Sequence, residues 1–220
     1  MKEMSQHPDY VYDPLPESRI RESTGTFHFR LLRLLPGYDH EPVCIELQNC
    51  CSIIDTDENT ANSQAPEYEA VSYCWASMGS IRFIQCHQKL FKISHTVFEA
   101  LQSLRHATDA RMLWIDSICI NQDNPLEKAH QVRGMRFIYS CAASTLVWLG
   151  PSTTTTELAF AAVSRLVDVR ARLDAANINY KRIPDGSKIL NDNALPSRAE
   201  KDPALQALLE ILELAWFERI

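Results

Sequence analysis

The chain has 220 residues, 45% apolar and 23% charged, so it can bury a core of ordinary size. Its net charge of −6 argues against nucleic acid as a partner, because phosphates require a basic surface. The six glycines are too widely spaced for a dinucleotide fingerprint, a P-loop or a nucleophile elbow, which excludes those site classes.

Cysteine and histidine spacing argues against the common zinc sites. None of the seven cysteines forms a CxxC pair, and no two of the seven histidines form an HExxH motif. The cysteine count is odd, no signal peptide is present, and the longest nearly apolar run, near residues 141–149, is too short to span a bilayer. We therefore expect a soluble cytoplasmic protein with no membrane span, no metal site and no structural disulfide.

The first predicted elements are an arm, a hairpin and a buried strand. Residues 1–24 are rich in proline, serine and charge and are predicted to form a flexible N-terminal arm. Two alternating segments, 27–35 and 43–48, are predicted to pair as a β-hairpin. After a polar loop at 55–66, the β-branched and aromatic residues of 69–75 predict a buried strand.

The rest of the chain alternates between predicted strands and helices. In order, these are a hairpin at 81–86 and 89–93, a helix from 94 to about 107, a strand at 112–115, a loop, a helix beginning at 124–125, a strand at 144–149, a helix at 154 to about 175 and a last helix from 202–203. Such alternation favours an α/β fold, a partly parallel sheet flanked by helices. Ligands of such sheets collect at the carboxyl ends of strands, here the loops after Trp75 and Ile115.

Four motifs, in matching order and spacing, resemble one family, the fungal heterokaryon incompatibility (HET) domain. They are YEAVSYCW (68–75), LWIDSICINQDN (113–124), EKAHQVRGMRFIYSCA (127–142) and STLVWLG (144–150). The resemblance makes residues 25–220 the expected HET domain. Two departures stand out: Ala76 replaces the usual glycine, and the family pattern continues beyond the final WFERI, so the domain is expected to be truncated at its C-terminus.

The resemblance implies a cytoplasmic effector of self/non-self recognition, a form of innate immunity in which fusion of incompatible hyphae triggers programmed cell death. HET domains are in turn similar to TIR domains, some of which cleave NAD. That similarity implies a TIR-like or flavodoxin-like core with an extra N-terminal β-hairpin, and it makes NAD a substrate, with no bound cofactor. The alternative is a non-catalytic signalling module that assembles with partner receptors, other signalling proteins or copies of itself.

Seven residues near the strand ends form the candidate site. Glu127 and Asp116 are the candidate catalytic carboxylates, because a fixed carboxylate stabilises the cationic sugar that forms as nicotinamide leaves NAD. Both follow the same strand, so we expect them to approach one cleft with Trp75 on its wall. The candidate substrate-binding residues are two aromatics that can stack on a base and three amides that can hydrogen-bond: Tyr73, Trp75, Asn121, Gln122 and Gln131.

Structural roles stay open for the same residues. Asn124 and Glu127 have capping-box spacing, so Glu127 can instead close its own helix. Asp116 can accept hydrogen bonds from its own turn. If Glu127 is catalytic, Glu127→Gln should abolish turnover and leave stability nearly unchanged. A thiol nucleophile, Cys119 with His130 as its base, is a further alternative that no local protease signature accompanies.

Overall fold

The computed structural model of the chain describes residues 8–16, 19–21, 24–55, 60–75, 80–175 and 202–212. The chain divides into two compact units, residues 1–150 and 151–220. The described strands are β1 (Arg19–Arg21), β2 (Thr24–Leu34), β3 (Cys44–Asp55), β4 (Thr60–Ser63), β5 (Glu69–Tyr73), β6 (Ile81–Cys86), β7 (Lys89–Ser94), β8 (Arg111–Trp114) and β9 (Ser144–Trp148). The described helices are α1 (His95–Leu104), α2 (Asp116–Cys119), α3 (Pro125–Cys141), α4 (Thr154–Ala175) and α5 (Pro203–Leu212).

One mixed sheet organises the first unit. Its strand order is β7-β6-β3-β2-β8-β5-β9, with β1 also pairing with β2 and β4 with β3. The two predicted hairpins form as antiparallel pairs, β2 with β3 and β6 with β7. Strand β5 runs parallel to both β8 and β9, and β3 runs parallel to β6. The predicted α/β class with a partly parallel sheet is therefore confirmed.

The parallel pairing of β5 and β8 positions the candidate site. Ala70 of β5 lies opposite Trp114 of β8, so the two strands end at the same edge of the sheet. Past that edge, β5 leads into Trp75 and β8 leads through Ile115 into Asp116. The two loops singled out from the sequence therefore come together, although their residues are 41 positions apart.

Part of the predicted N-terminal arm lies against the sheet. The backbone N–H of Tyr10 donates to the carbonyl of Leu90, 2.8 Å away, and the N–H of Leu90 donates to the carbonyl of Pro8. The hydroxyl of Tyr12 donates to the carbonyl of Ile118 at 2.8 Å. Residues 8–16 therefore contribute contacts to the first unit, whereas residues 1–7 lie outside the described part of the chain.

Helix α3 lies close against β2. Asn124 caps the helix, since its side-chain oxygen accepts the backbone N–H groups of Leu126 and Glu127, and Pro125 occupies the first turn. Gly134 faces β2, where an added Cβ would overlap the ring of Phe27. A glycine at this position therefore allows the helix to approach the strand.

We expect Gly134→Ala to lower the free energy of unfolding by about 1–2 kcal/mol. Overpacking costs about 1–3 kcal/mol, and a Cβ that overlaps the Phe27 ring places this site in the upper part of that range. The higher helix propensity of alanine returns roughly 1 kcal/mol of this cost. Urea denaturation measures the change, with the exposed Lys128→Ala on the same helix as the control. Equal or greater stability of Gly134→Ala would contradict the close approach to Phe27.

The second unit contains a pair of helices among its described residues. Small side chains are buried where α4 and α5 pack together: Ala159, Ala162, Ala204 and Ala207. Arg165 of α4 forms an ion pair with Asp202, which precedes α5, at 3.3 Å. The predicted helix starts agree with both helices. Ala76, residues 176–201 and the WFERI ending lie outside the described residues. Each helix in the described part of the chain is too short or too polar to span a bilayer.

Candidate functional site

A cavity of about 710 Å³ in the first unit adjoins the end of β5. Its wall is rich in aromatic side chains, namely Tyr10, Tyr12, Tyr73, Trp75, Phe83 and Phe91. Three of the seven candidate residues line it: Tyr73, Trp75 and Gln122. The other four candidates are not among its lining residues: Asp116, Asn121, Glu127 and Gln131.

Asp116 lies beside the cavity and holds part of its wall. One carboxylate oxygen accepts the indole N–H of Trp75 at 3.1 Å, and the other accepts the backbone N–H of Ser117 at 2.7 Å. Ser117 lines the cavity and accepts the hydroxyl of Tyr73 at 2.7 Å. The carboxylate therefore fixes an aromatic surface at the strand ends.

Tyr73 and Trp75 form that surface together. Their rings stack with centroids 6.5 Å apart, but Tyr73 is 5% exposed and Trp75 is 49% exposed. Burial raises the pKa of Tyr73, and the nearby Asp116 carboxylate raises it further. The phenol is therefore protonated at neutral pH and serves as a hydrogen-bond donor, while Trp75 presents open ring surface.

The loop after α2 supplies the two candidate amides, which have different roles. The side-chain nitrogen of Gln122 donates to the backbone carbonyl of Asp116 at 3.0 Å. The side-chain oxygen of Gln122 is buried and has no hydrogen-bond partner among the described residues. The side chain of Asn121 instead accepts the backbone N–H of Asp123 and so shapes the loop. Of the two, Gln122 is the one that lines the cavity.

Glu127 forms a buried ion pair with Arg30. The Arg30 and Glu127 side chains are only 1% and 8% exposed, and their closest atoms, Nη1 and Oε1, lie 2.5 Å apart. A second contact of 3.1 Å joins Nη2 and Oε2, which makes the pair bidentate. The backbone N–H of Asn121 also donates to Oε1 at 2.8 Å. The Glu127 carboxylate is therefore bound to Arg30, and Glu127 is not among the residues that line the cavity.

Arg30 is the central group around Glu127, and it is absent from the site residues predicted from the sequence. Its guanidinium donates to the carbonyls of Cys119 and Asp13, at 3.1 and 2.7 Å, and lies 4.9 Å from the ring centroid of Tyr12. The alternation of β2 could have predicted a buried arginine, because it places Arg30 on the same face of the strand as the apolar Leu32. A charged residue in an apolar strand face requires a buried partner.

The second hydrogen bond of the predicted capping box, from the backbone N–H of Asn124 to the Glu127 carboxylate, does not form. The backbone N–H of Asn124 donates to the carbonyl of Asn121 at 3.2 Å, while the Glu127 carboxylate binds Arg30. Gln131 also binds the strand: it is 1% exposed, and its side-chain nitrogen donates to the carbonyl of His28 at 2.7 Å. Glu127 and Gln131 thus attach α3 to β2, through Arg30 and through the carbonyl of His28.

The structure gives no support to a thiol nucleophile. Burial raises the pKa of the Cys119 thiol to about 12, so the thiol is neutral at physiological pH. The ring of His130 packs on Phe27 with centroids 5.1 Å apart. All seven cysteines are free thiols.

Comparisons with known proteins identify one family. Residues 68–220 match the family described as heterokaryon incompatibility protein (HET). A curated relative, "Heterokaryon incompatibility protein 6, OR allele" of Neurospora crassa, is 34% identical over 143 residues, covering 59% of this chain and 20% of the relative. The chain therefore spans about a fifth of that relative's length. No solved structure matches the chain significantly.

Proposed function

This chain belongs to the heterokaryon incompatibility (HET) family, and from that premise we propose that it acts in fungal incompatibility as a cell-death effector of self/non-self recognition. The relative in Neurospora crassa bears an incompatibility name, which supports the role. The observation that carries the proposal is the aromatic cavity beside β5. Tyr73, Trp75 and the Asp116 that holds them all lie within the range that matches the family.

NAD cleavage is the second candidate activity, and the cavity favours it. A volume of about 710 Å³ lies within the range of small-molecule sites. As the bond between the ribose and nicotinamide breaks, a nearby carboxylate stabilises the cationic sugar without acting as an acid. Water then forms the new C–O bond and releases its proton to the solvent. We propose Asp116 for that role, because it adjoins the cavity, whereas Glu127 is occupied by Arg30.

A non-catalytic signalling module is the alternative, and a specific observation favours it. Both oxygens of Asp116 already accept hydrogen bonds, from Trp75 and from the backbone of Ser117. In this alternative the carboxylate only shapes the aromatic surface, through these two hydrogen bonds. In that case the cavity binds a regulatory ligand or a partner's side chain, and no bond is cleaved.

Inducible expression of the chain in Neurospora crassa tests the proposed effector role. We expect arrested growth and uptake of a vital dye, and we expect Trp75→Leu to abolish both because it removes the exposed wall of the cavity. Tyr38→Leu is the matched control, since Tyr38 is 57% exposed and does not line the cavity. Normal growth on expression of the unmodified chain, or equal killing by Trp75→Leu, would contradict the proposal.

A further inference from the structure

We propose that the cavity beside β5 binds an organic cation carrying a methylated ammonium group. The inference rests on the proposed function only in treating this cavity as the functional one. It names the chemistry of the ligand and does not depend on whether the ligand is cleaved. Three features of the described residues support it: open aromatic faces, a surplus of carboxylates and a buried unpaired acceptor.

The aromatic faces come from two groups of rings. Tyr10 and Phe91 lie 5.4 Å apart, and Tyr12 and Phe91 lie 5.7 Å apart, while Tyr73 stacks on Trp75. The negative face of an aromatic ring attracts a cation placed within about 6 Å, and tryptophan attracts it most strongly. The Arg30 guanidinium already lies over the ring of Tyr12, 4.9 Å from its centroid, so the exposed rings that remain for a ligand are those of Trp75 and Phe83.

Trp75 offers the best placed open face. It is 49% exposed, although it lines a cavity and carries a large apolar ring. Its N–H donates to Asp116, so that a negative charge is fixed at the edge of the ring. A carboxylate at that edge adds to the negative potential of the indole face. Phe83, 48% exposed, contributes a second open ring to the same cavity.

The charged lining also favours a cation. Asp9 and Asp123 line the cavity together with one basic residue, Lys92, and Asp116 adjoins it. The surplus of charge is negative, which favours a cationic group against the aromatic wall. Aromatic walls do not supply the oxygen ligands that metal ions require. Among the described residues, no group of three His, Cys, Asp or Glu side chains could hold a metal ion. Methylated ammonium groups suit such a wall, because it offers them aromatic faces in place of water.

Gln122 supplies a polar contact for the rest of the ligand. Its side-chain oxygen is buried without a hydrogen-bond partner in the described structure, and the residue lines the cavity. A buried acceptor without a partner is costly, and a donor on the ligand would relieve that cost. We therefore expect the ligand to carry a hydroxyl or N–H group near its ammonium, as choline does.

Isothermal titration of the purified 220-residue chain with choline tests the inference. The matched probe is 3,3-dimethyl-1-butanol, which has the same shape and hydroxyl but no charge. We expect choline to bind at least tenfold more tightly than this neutral isostere. We also expect Trp75→Leu and Asp123→Asn each to weaken choline binding at least threefold. Asp109→Asn, which removes an exposed carboxylate outside the cavity lining, should leave binding unchanged.

Several outcomes separate this inference from the proposed function. Equal affinity for choline and its isostere, no binding of choline at 10 mM, or unchanged binding by both cavity variants would overturn the cation site. Circular dichroism of each variant establishes that a loss of binding is not a loss of folding. If choline binds as expected but the expressed chain does not arrest growth, the effector role fails and the cation site stands. If growth arrests but choline does not bind, the cation site fails and the effector role stands.

Discussion

We expect Glu127→Gln to lower the free energy of unfolding by about 3–5 kcal/mol, the usual cost of removing one partner from a buried ion pair. The substitution leaves Arg30, 1% exposed, without a compensating charge. Urea denaturation measures the loss. Glu46→Gln is the control, because Glu46 pairs with Arg33 at 2.8 Å but both side chains are about 40% exposed or more. An exposed pair of this kind contributes at most about 1 kcal/mol.

A double variant distinguishes the cost of leaving Arg30 as an unpaired buried charge from the other effects of replacing Glu127. Arg30→Met combined with Glu127→Leu removes both charges and should be more stable than Glu127→Gln alone. A cost for Glu127→Gln no greater than that for Glu46→Gln would contradict the buried ion pair. The local sequence pattern predicts nearly unchanged stability for Glu127→Gln, whereas the buried pair with Arg30 predicts a large loss. Loss of activity in Glu127 variants cannot by itself identify a catalytic residue.

The second large effect concerns the proposed NAD cleavage. We expect Asp116→Asn to reduce NAD turnover by about 10²–10³-fold, the effect typical of losing one group that stabilises a charged transition state. Asparagine preserves the volume and retains one acceptor for Trp75 or Ser117. The change in unfolding free energy should therefore stay within about 1–3 kcal/mol, the cost of one lost charged hydrogen bond. Turnover is measured as nicotinamide released by concentrated purified protein.

Asp109→Asn is the charge-matched control for this measurement, because Asp109 is exposed and its carboxylate accepts the hydroxyl of Thr108. If Asp116→Asn remains folded and turns NAD over at the unmodified rate, Asp116 is not the carboxylate that acts on the sugar. If the unmodified chain releases no nicotinamide, the non-catalytic signalling module becomes the preferred function. The growth assay with Trp75→Leu then still tests whether the cavity is used.

Local sequence patterns determined most of the secondary structure. The alternating segments became β2 and β3, and residues 81–86 and 89–93 became β6 and β7. Asn124 and Pro125 set the start of α3, because a cap depends on backbone groups within three residues of it. The alternation of strands and helices gave the α/β class, and parallel pairing brought the loops after Trp75 and Ile115 together.

The role of Glu127 was decided only by the tertiary structure. Its local spacing to Asn124 predicts a capping box, and the family resemblance predicts a catalytic group, but its partner is Arg30, 97 residues away. Tyr10 and Tyr12 likewise belong to the predicted flexible N-terminal arm, and only the tertiary structure places them in the lining of the cavity. Periodicity and caps report interactions within a few residues along the chain. A buried charge selects its partner from whatever the fold brings near, because desolvation makes an unpaired charge far more costly than any local alternative.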